Sequence, residues 1–239
     1  MVIGITQRND CNKYGNYVDS LENSYLDYLS KLGVSVIILP NSLQQITVYL
    51  EIFNFEGFIL SGGNDIDPQH IKLKQLGESR IGELSISKRR DEVESKILQF
   101  AVDKKIPILG ICRGMQFINF YFGGGITFNI NHSKGAGDIF HVPVGGNNDG
   151  HLLFLNPELG EKNKVMVNSY HNHGLRAEDV SKELIVFAHA PDEIIEGIYH
   201  PNYPIAAIQW HPERKGSDEG FDEKLINGFV GRGLFWRER

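Results

Sequence analysis

Residues 106–122, IPILGICRGMQFINFYF, constrain the fold of this chain more than any other stretch. Ile106 to Ile111 is a short apolar run of the kind that forms a buried strand. Met115 to Phe122 reads as a buried helix. Only Gly110-Ile111-Cys112-Arg113-Gly114 carries the chain from one to the other. Glycine two before and two after the cysteine removes side-chain bulk where a strand must turn sharply into a helix. Such an elbow lifts its apex residue above a parallel sheet, at the start of a helix. There the unpaired first-turn N–H groups and the helix dipole favour a thiolate. A buried structural cysteine has the same local signature, so the elbow needs a second signal.

That signal is Gln209-Trp210-His211-Pro212-Glu213, which follows a further apolar run, Ile205 to Ile208. Pro212 disfavours helical backbone at His211 and keeps the segment extended. In extended chain, positions i and i+2 point the same way. His211 and Glu213 are therefore expected on one side, as a base and the carboxylate that orients it. With Cys112 they make a candidate catalytic set for an activated thiol.

The surrounding pattern predicts the frame. Val2 to Thr6 reads as a strand and Gln7 to Asn16 as a polar loop. Tyr17 to Leu32 has helical spacing, closed by Gly33. Val34 to Leu39 and Gly57 to Leu60 read as strands, with a short helix over Ile46 to Phe53 between them. This βαβαβ rhythm predicts an α/β fold of three layers: an open, mostly parallel sheet with helices on both faces. A long loop is expected over 67–87, then a helix from Lys88 to about Lys104, and a loop or hairpin over Gly145 to Gly150. Met166 to Ser169 reads as a strand. Leu184 to Ala190 and Ile194 to Tyr199 predict a small antiparallel extension around Pro191-Asp192. Glu219 to Val230 closes the chain as a helix, with Phe235 and Trp236 capping the core or facing a partner subunit.

In order along the chain stand IGITQR (3–8), ILSGGNDIDP (59–68), RRDEVE (89–94), IPILGICRGMQFIN (106–119), VNSYH (167–171) and AAIQWHPE (206–213). With these the chain resembles the class I glutamine amidotransferase superfamily. Within it, the chain is similar to stand-alone gamma-glutamyl hydrolases of the peptidase C26 type. The resemblance implies a flavodoxin-like sheet and a cysteine hydrolase that cleaves a gamma-glutamyl amide through a thioester on Cys112. It implies N–H donors to the oxyanion at Gly63 and Arg113, with Gly62 the next candidate. It also implies that Gln116 holds the glutamyl moiety, that His171 positions substrate, and that Arg90, Asp91 and Glu94 fix a helix near the site. Glu196 falls where relatives have a glutamate beside the site. Arg8 is a candidate for the pocket lining or its rim, and His141 for reaching the substrate's carboxylate or for a core or rim role. Relatives commonly continue His-His-Gln where this chain has His171-Asn172-His173. The amine half stays open: aminobutyrate, folate polyglutamate, or a nucleotide-linked amidate as in the gamma-glutamyl-CDP-amidate hydrolase branch, for which Lys88 to Arg90 could meet a phosphate. A glutaminase that feeds ammonia to a separate synthase, and an inactive binding or regulatory protein of the same fold, are the competing readings.

Composition sets the remaining limits. A chain of 239 residues can bury its core as one domain, 1–239. A formal charge of −6 argues against nucleic acid or an anionic membrane as main partner. Two cysteines, Cys11 and Cys112, are too few for a disulfide framework. Met1 to Ile5 lacks a charged leader, and the expected location is the cytoplasm. His132, His141 and His151 are too far apart in sequence for a compact metal motif, and His171 and His173 have no third ligand beside them. No metal and no cofactor are expected. The expected partner is a small gamma-glutamyl conjugate, with a homodimer left open.

Overall fold

The computed structural model describes residues 2–67, 84–131, 139–143, 150–156 and 163–237. Most of the expected loop over 67–87, His132 and most of 145–150 lie outside the described residues.

Five strands form the parallel part of a nine-stranded sheet: β1 (Val2–Ile5), β4 (Ser35–Ile38), β5 (Gly57–Leu60), β6 (Ile108–Ile111) and β11 (Ile205–Ile208). Their order is β4-β1-β5-β6-β11. This is the 2-1-3-4-5 arrangement of flavodoxin-like sheets, in which ligands bind beyond the carboxyl ends of the strands. Register is continuous, with Ile3 opposite Gly57, Leu60 opposite Gly110, and Gly110 opposite Ala207. Beyond β11 the sheet continues antiparallel through β10 (Ile195–Tyr199), β9 (Ile185–His189), β7 (His151–Leu155) and β8 (Lys164–Val167).

Every residue of β5, β6 and β11 is buried because both faces of the sheet are covered. Alternate side chains feed two cores. Ile59, Leu109 and Ile208 pack on one face with α1 (Asn23–Lys31) and α5 (Glu219–Val230). Phe58, Leu60 and Ala207 pack on the other with α2 (Leu43–Ile52), α3 (Lys88–Lys104) and α4 (Arg113–Tyr121). Trp236 belongs to the first core, and its indole N–H donates to the Ile108 carbonyl at 2.7 Å. Phe235 and Trp236 thus cap the core.

The structure corrects several expectations. The loop expected over Gln7 to Asn16 and the first turn of the expected helix form a hairpin, β2 (Arg8–Cys11) with β3 (Tyr17–Ser20). Polar contacts hold it: the Asn9 N–H donates to Asn64 Oδ1 at 2.9 Å, and Asn9 Nδ2 to Asp19 Oδ1 at 2.7 Å. Helix α1 starts only at Asn23, because Val18 faces solvent rather than the core. Strand β7, which no sequence pattern announced, pairs with both β8 and β9.

The elbow glycines are explained by close approach. A methyl on Gly114 would stand 2.1 Å from the Leu60 carbonyl oxygen, a backbone atom that cannot swing aside. Gly114→Ala is therefore expected to cost about 1–3 kcal/mol. A thermal melt would read this as a fall in Tm of several degrees, and an unchanged Tm would refute the packing argument.

Candidate active site

The turns after β5, β6 and β11 converge at the carboxyl edge of the sheet. Cys112 stands between β6 and α4 with φ 54° and ψ −106°. A non-glycine residue holds such backbone at a cost of about 1–3 kcal/mol, and only where its surroundings leave no alternative. Here its N–H donates to the Ile208 carbonyl at 2.8 Å, and its carbonyl accepts from Met115 and Gln116 at 3.0 and 3.3 Å.

His211 Nδ1 lies 2.6 Å from Glu213 Oε1, with both side chains buried. Asn168 fixes the backbone that carries them. Its Oδ1 accepts from the His211 N–H at 2.9 Å and its Nδ2 donates to the His211 carbonyl at 2.7 Å. A methyl on Gly62 would stand 2.9 Å from His211 Cε1 and 3.6 Å from Cys112 Cβ, so imidazole and thiol flank the same glycine. Burial pushes the His211 pKa down, but the Glu213 carboxylate and the Cys112 thiol outweigh it and hold the imidazole up at about 9. Tyr25, which no sequence motif marks, accepts the Gly62 N–H at 3.0 Å and lies 3.5 Å from His211 Nδ1.

The Ser61-Gly62-Gly63-Asn64 turn is held from beneath by buried charge. Arg90 Nη2 donates to the Ser61 carbonyl at 2.6 Å, and Nη1 to the Gly62 carbonyl at 2.9 Å. Its Nε pairs with Glu94 at 2.8 Å. Arg113 pairs with both Glu94 and Asp91. Burial pushes the Glu94 carboxyl up, but Arg113 and Arg90 outweigh it and hold it below the ordinary carboxylate value. Of the residues Lys88 to Arg90 considered for a phosphate, Arg90 is fully buried in these contacts and not free for that role, whereas Lys88 is exposed and pairs with Asp67 at 3.2 Å.

A cavity of about 380 Å³ opens over Cys112, and Gly63, Arg113, Gln116 and His171 also line it. Gly62 donates its N–H to Tyr25, whereas Gly63, at φ +96°, lines the cavity, and a methyl on it would stand 2.3 Å from Arg8 Cγ. Gln116 Nε2 donates to the His173 carbonyl at 3.0 Å and lies 3.2 Å from Gln209 Oε1. Arg8 lies beside Asp10 at 3.3 Å, outside the cavity lining. His141 is fully buried and does not line the cavity. Its Nε2 faces Asp192 at 3.1 Å.

Wide spacing in sequence does not keep the histidines apart, which corrects the argument made from spacing alone. His141, His151, His171 and Glu196 are all buried, and one ligand atom from each lies within 4.8 Å of every other. Both ring nitrogens of His171 are turned to protein groups, Nδ1 to the His173 carbonyl at 2.9 Å and Nε2 to Glu196 at 3.3 Å.

Among the described residues no helix is long and apolar enough to cross a membrane. The sequence model of the family described as Peptidase C26 matches residues 1–213. The glutamine amidotransferase-like protein YvdE of Lactococcus lactis is 31% identical over 220 residues, covering 90% of this chain and 89% of the relative. The gamma-glutamyl-CDP-amidate hydrolase of Campylobacter jejuni is also 31% identical over 220 residues, covering 90% and 91%. A solved chain from Thermoplasma acidophilum, assigned to a GMP synthase, superposes with a TM-score of 0.63. It is 21% identical, and the match covers 97% of this chain and 93% of that one. At that identity the likeness speaks for the fold alone.

Proposed function

The chain belongs to the peptidase C26 family, hydrolases of the glutamine amidotransferase type, and from that premise we propose that it is a thiol hydrolase of a small gamma-glutamyl conjugate. The observation that carries the reading is the convergence around Gly62. His211 and Glu213 are paired at 2.6 Å, and the cavity opens onto Cys112 beside them.

In this reading the Cys112 thiolate attacks the gamma-carbonyl carbon. The N–H groups of Gly63 and Arg113 receive the oxyanion, and each such donor is worth about 3–4 kcal/mol in the transition state. His211, its Nδ1 committed to Glu213, protonates the departing nitrogen through Nε2. It then draws a proton from water, which frees glutamate from the thioester. Gln116 holds the glutamyl moiety within the cavity. Residues 1–239 act as one domain, without a synthase.

A screen of gamma-glutamyl conjugates with purified protein tests this, using aminobutyrate, other amines, folate polyglutamate and cytidine-linked amidates. Glutamate release without a partner, absent from Cys112→Ala, is the expected result. Release only on adding a synthase would favour the reading as a glutaminase that feeds one. The name of the Campylobacter relative supports a second reading within the same chemistry. Preference for the cytidine-linked amidate over the simple amides would select it.

The pH profile gives a separate check. Activity that needs the imidazolium falls as pH rises through the His211 pKa, held at about 9. Glu213→Gln removes the charge that raises it, so the alkaline limb of kcat/KM should move towards the ordinary histidine value of about 6.5. An alkaline limb that stays in place would rule out this coupling.

A further inference from the structure

Behind the cavity wall, four buried side chains from four separate segments meet. His141 comes from the 139–143 segment, His151 opens β7, His171 follows β8, and Glu196 lies in β10. Three imidazole nitrogens face one carboxylate oxygen. Glu196 Oε1 is 3.4 Å from His141 Nδ1, 3.6 Å from His151 Nε2 and 3.3 Å from His171 Nε2. Among the described residues neither Glu196 oxygen has a hydrogen-bond partner, nor do His151 Nε2 and His171 Nε2, although all are buried.

The outer nitrogens explain this. His141 Nε2 faces the Asp192 carboxylate at 3.1 Å, His151 Nδ1 the Leu152 carbonyl at 3.2 Å, and His171 Nδ1 the His173 carbonyl at 2.9 Å. Each outer neighbour is an acceptor, so each outer nitrogen carries a proton, and in the neutral imidazole that binds a metal each inner nitrogen then presents a lone pair. Ser169 Oγ, 3.4 Å from His141 Nδ1, reaches one of the three. In that state three lone pairs and a carboxylate converge on one buried point, and a cation between them would satisfy all four, whereas unsatisfied buried polar atoms are costly.

We propose that His141, His151, His171 and Glu196 form a structural site for a divalent transition-metal cation, with zinc the best match. Tetrahedral zinc with bonds of 2.0–2.1 Å sets its ligands roughly 3.3 Å apart, close to the separations seen from Glu196. Three imidazoles and one carboxylate suit zinc better than magnesium or calcium, which take oxygen ligands. Backbone carbonyls and a carboxylate behind the imidazoles are the outer support that metal-bound histidines use. Four protein ligands leave no open position, so the ion ties the antiparallel extension to the cavity wall and takes no part in the reaction.

The test uses tag-free, full-length protein purified without chelator, its metal content measured by elemental mass spectrometry. About one zinc per chain is expected in the wild type and in Cys112→Ala, falling more than tenfold in Glu196→Gln and His151→Ala. Zinc added to chelator-stripped wild type at 100 times its Kd should raise Tm by roughly 5–10 °C. If the variants fail to fold, cobalt(II) added to the stripped wild type should give the visible absorption of a tetrahedral site. Metal-free protein whose Tm ignores zinc and whose cobalt form is colourless overturns the proposal. Zinc retained equally by both ligand variants also overturns it.

Discussion

Cys112→Ala is expected to lower kcat/KM for the preferred gamma-glutamyl amide by roughly ten-thousand- to million-fold, with the fold intact. Removing a nucleophile whose partners act as a unit typically costs this much, and what survives comes from binding and the oxyanion donors. The loss follows from the geometry around Gly62. In the proposed mechanism His211 and Glu213 assist the thiol of Cys112, and residues 110–114 hold no hydroxyl that could replace it. His211→Ala should lose a comparable amount, and the double variant should be little worse than either single one. Initial rates with a chromogenic gamma-glutamyl amide would measure all three. A loss of only about tenfold in Cys112→Ala would remove the thiol from the mechanism.

Glu94→Ala is expected to destabilise the protein by about 3–5 kcal/mol, because it leaves the buried Arg90 guanidinium without its carboxylate and Arg113 with Asp91 alone. Arg90 and Arg113 both pair with this one carboxylate, and all three side chains lie almost wholly out of solvent. At this chain length the loss corresponds to a fall in Tm of roughly 6–20 °C. Activity should fall with it. Arg90 holds the Ser61 and Gly62 carbonyls, and Arg113 begins the helix that Cys112 caps. The acid limb of stability carries the same signature. A carboxyl held below its ordinary pKa contributes stability above that ordinary value and loses it as pH falls through the folded one. Wild type should therefore lose stability on acidification below about pH 4.5, and this part of the loss should vanish in Glu94→Ala. Chemical denaturation at pH 7 and pH 4 separates the two, and a variant within about 1 kcal/mol of wild type at both would show that the pairs are not what holds the turn.

The parallel half of the sheet was legible because its strands are buried on both faces. Gly57 to Leu60, Ile108 to Ile111 and Ile205 to Ile208 each read as an unbroken apolar run. The elbow was legible because only glycine fits against Leu60. The β2–β3 hairpin was not, since β3 is fully exposed and side-chain amides rather than hydropathy fix the pair. Strand β7 was missed for a related reason: its pattern of burial begins on a histidine whose environment is set by distant segments. Of the candidate site residues, the sequence pointed to Cys112, His211 and Glu213; His211 pairs with Glu213, and His211 and Cys112 both stand beside Gly62. Asn168 and Tyr25 escaped notice because an asparagine just past a strand and a tyrosine on a helix carry no local sign of the partners that the fold brings. The histidine cluster shows the limit most clearly. Residues 141, 151, 171 and 196 share no motif spacing, and only the antiparallel extension makes them neighbours.

Labelling with an electrophilic glutamine analogue, followed by peptide mass spectrometry, tests the central claim most directly. The two cysteines make opposite cases: Cys11 is exposed and free, whereas Cys112 is buried but beside His211. If accessibility governed reactivity, Cys11 would be labelled first. An activated thiol predicts a single adduct on Cys112, blocked by a gamma-glutamyl substrate and lost in His211→Ala. Folded protein that turns over substrate yet carries the label only on Cys11 would contradict the account.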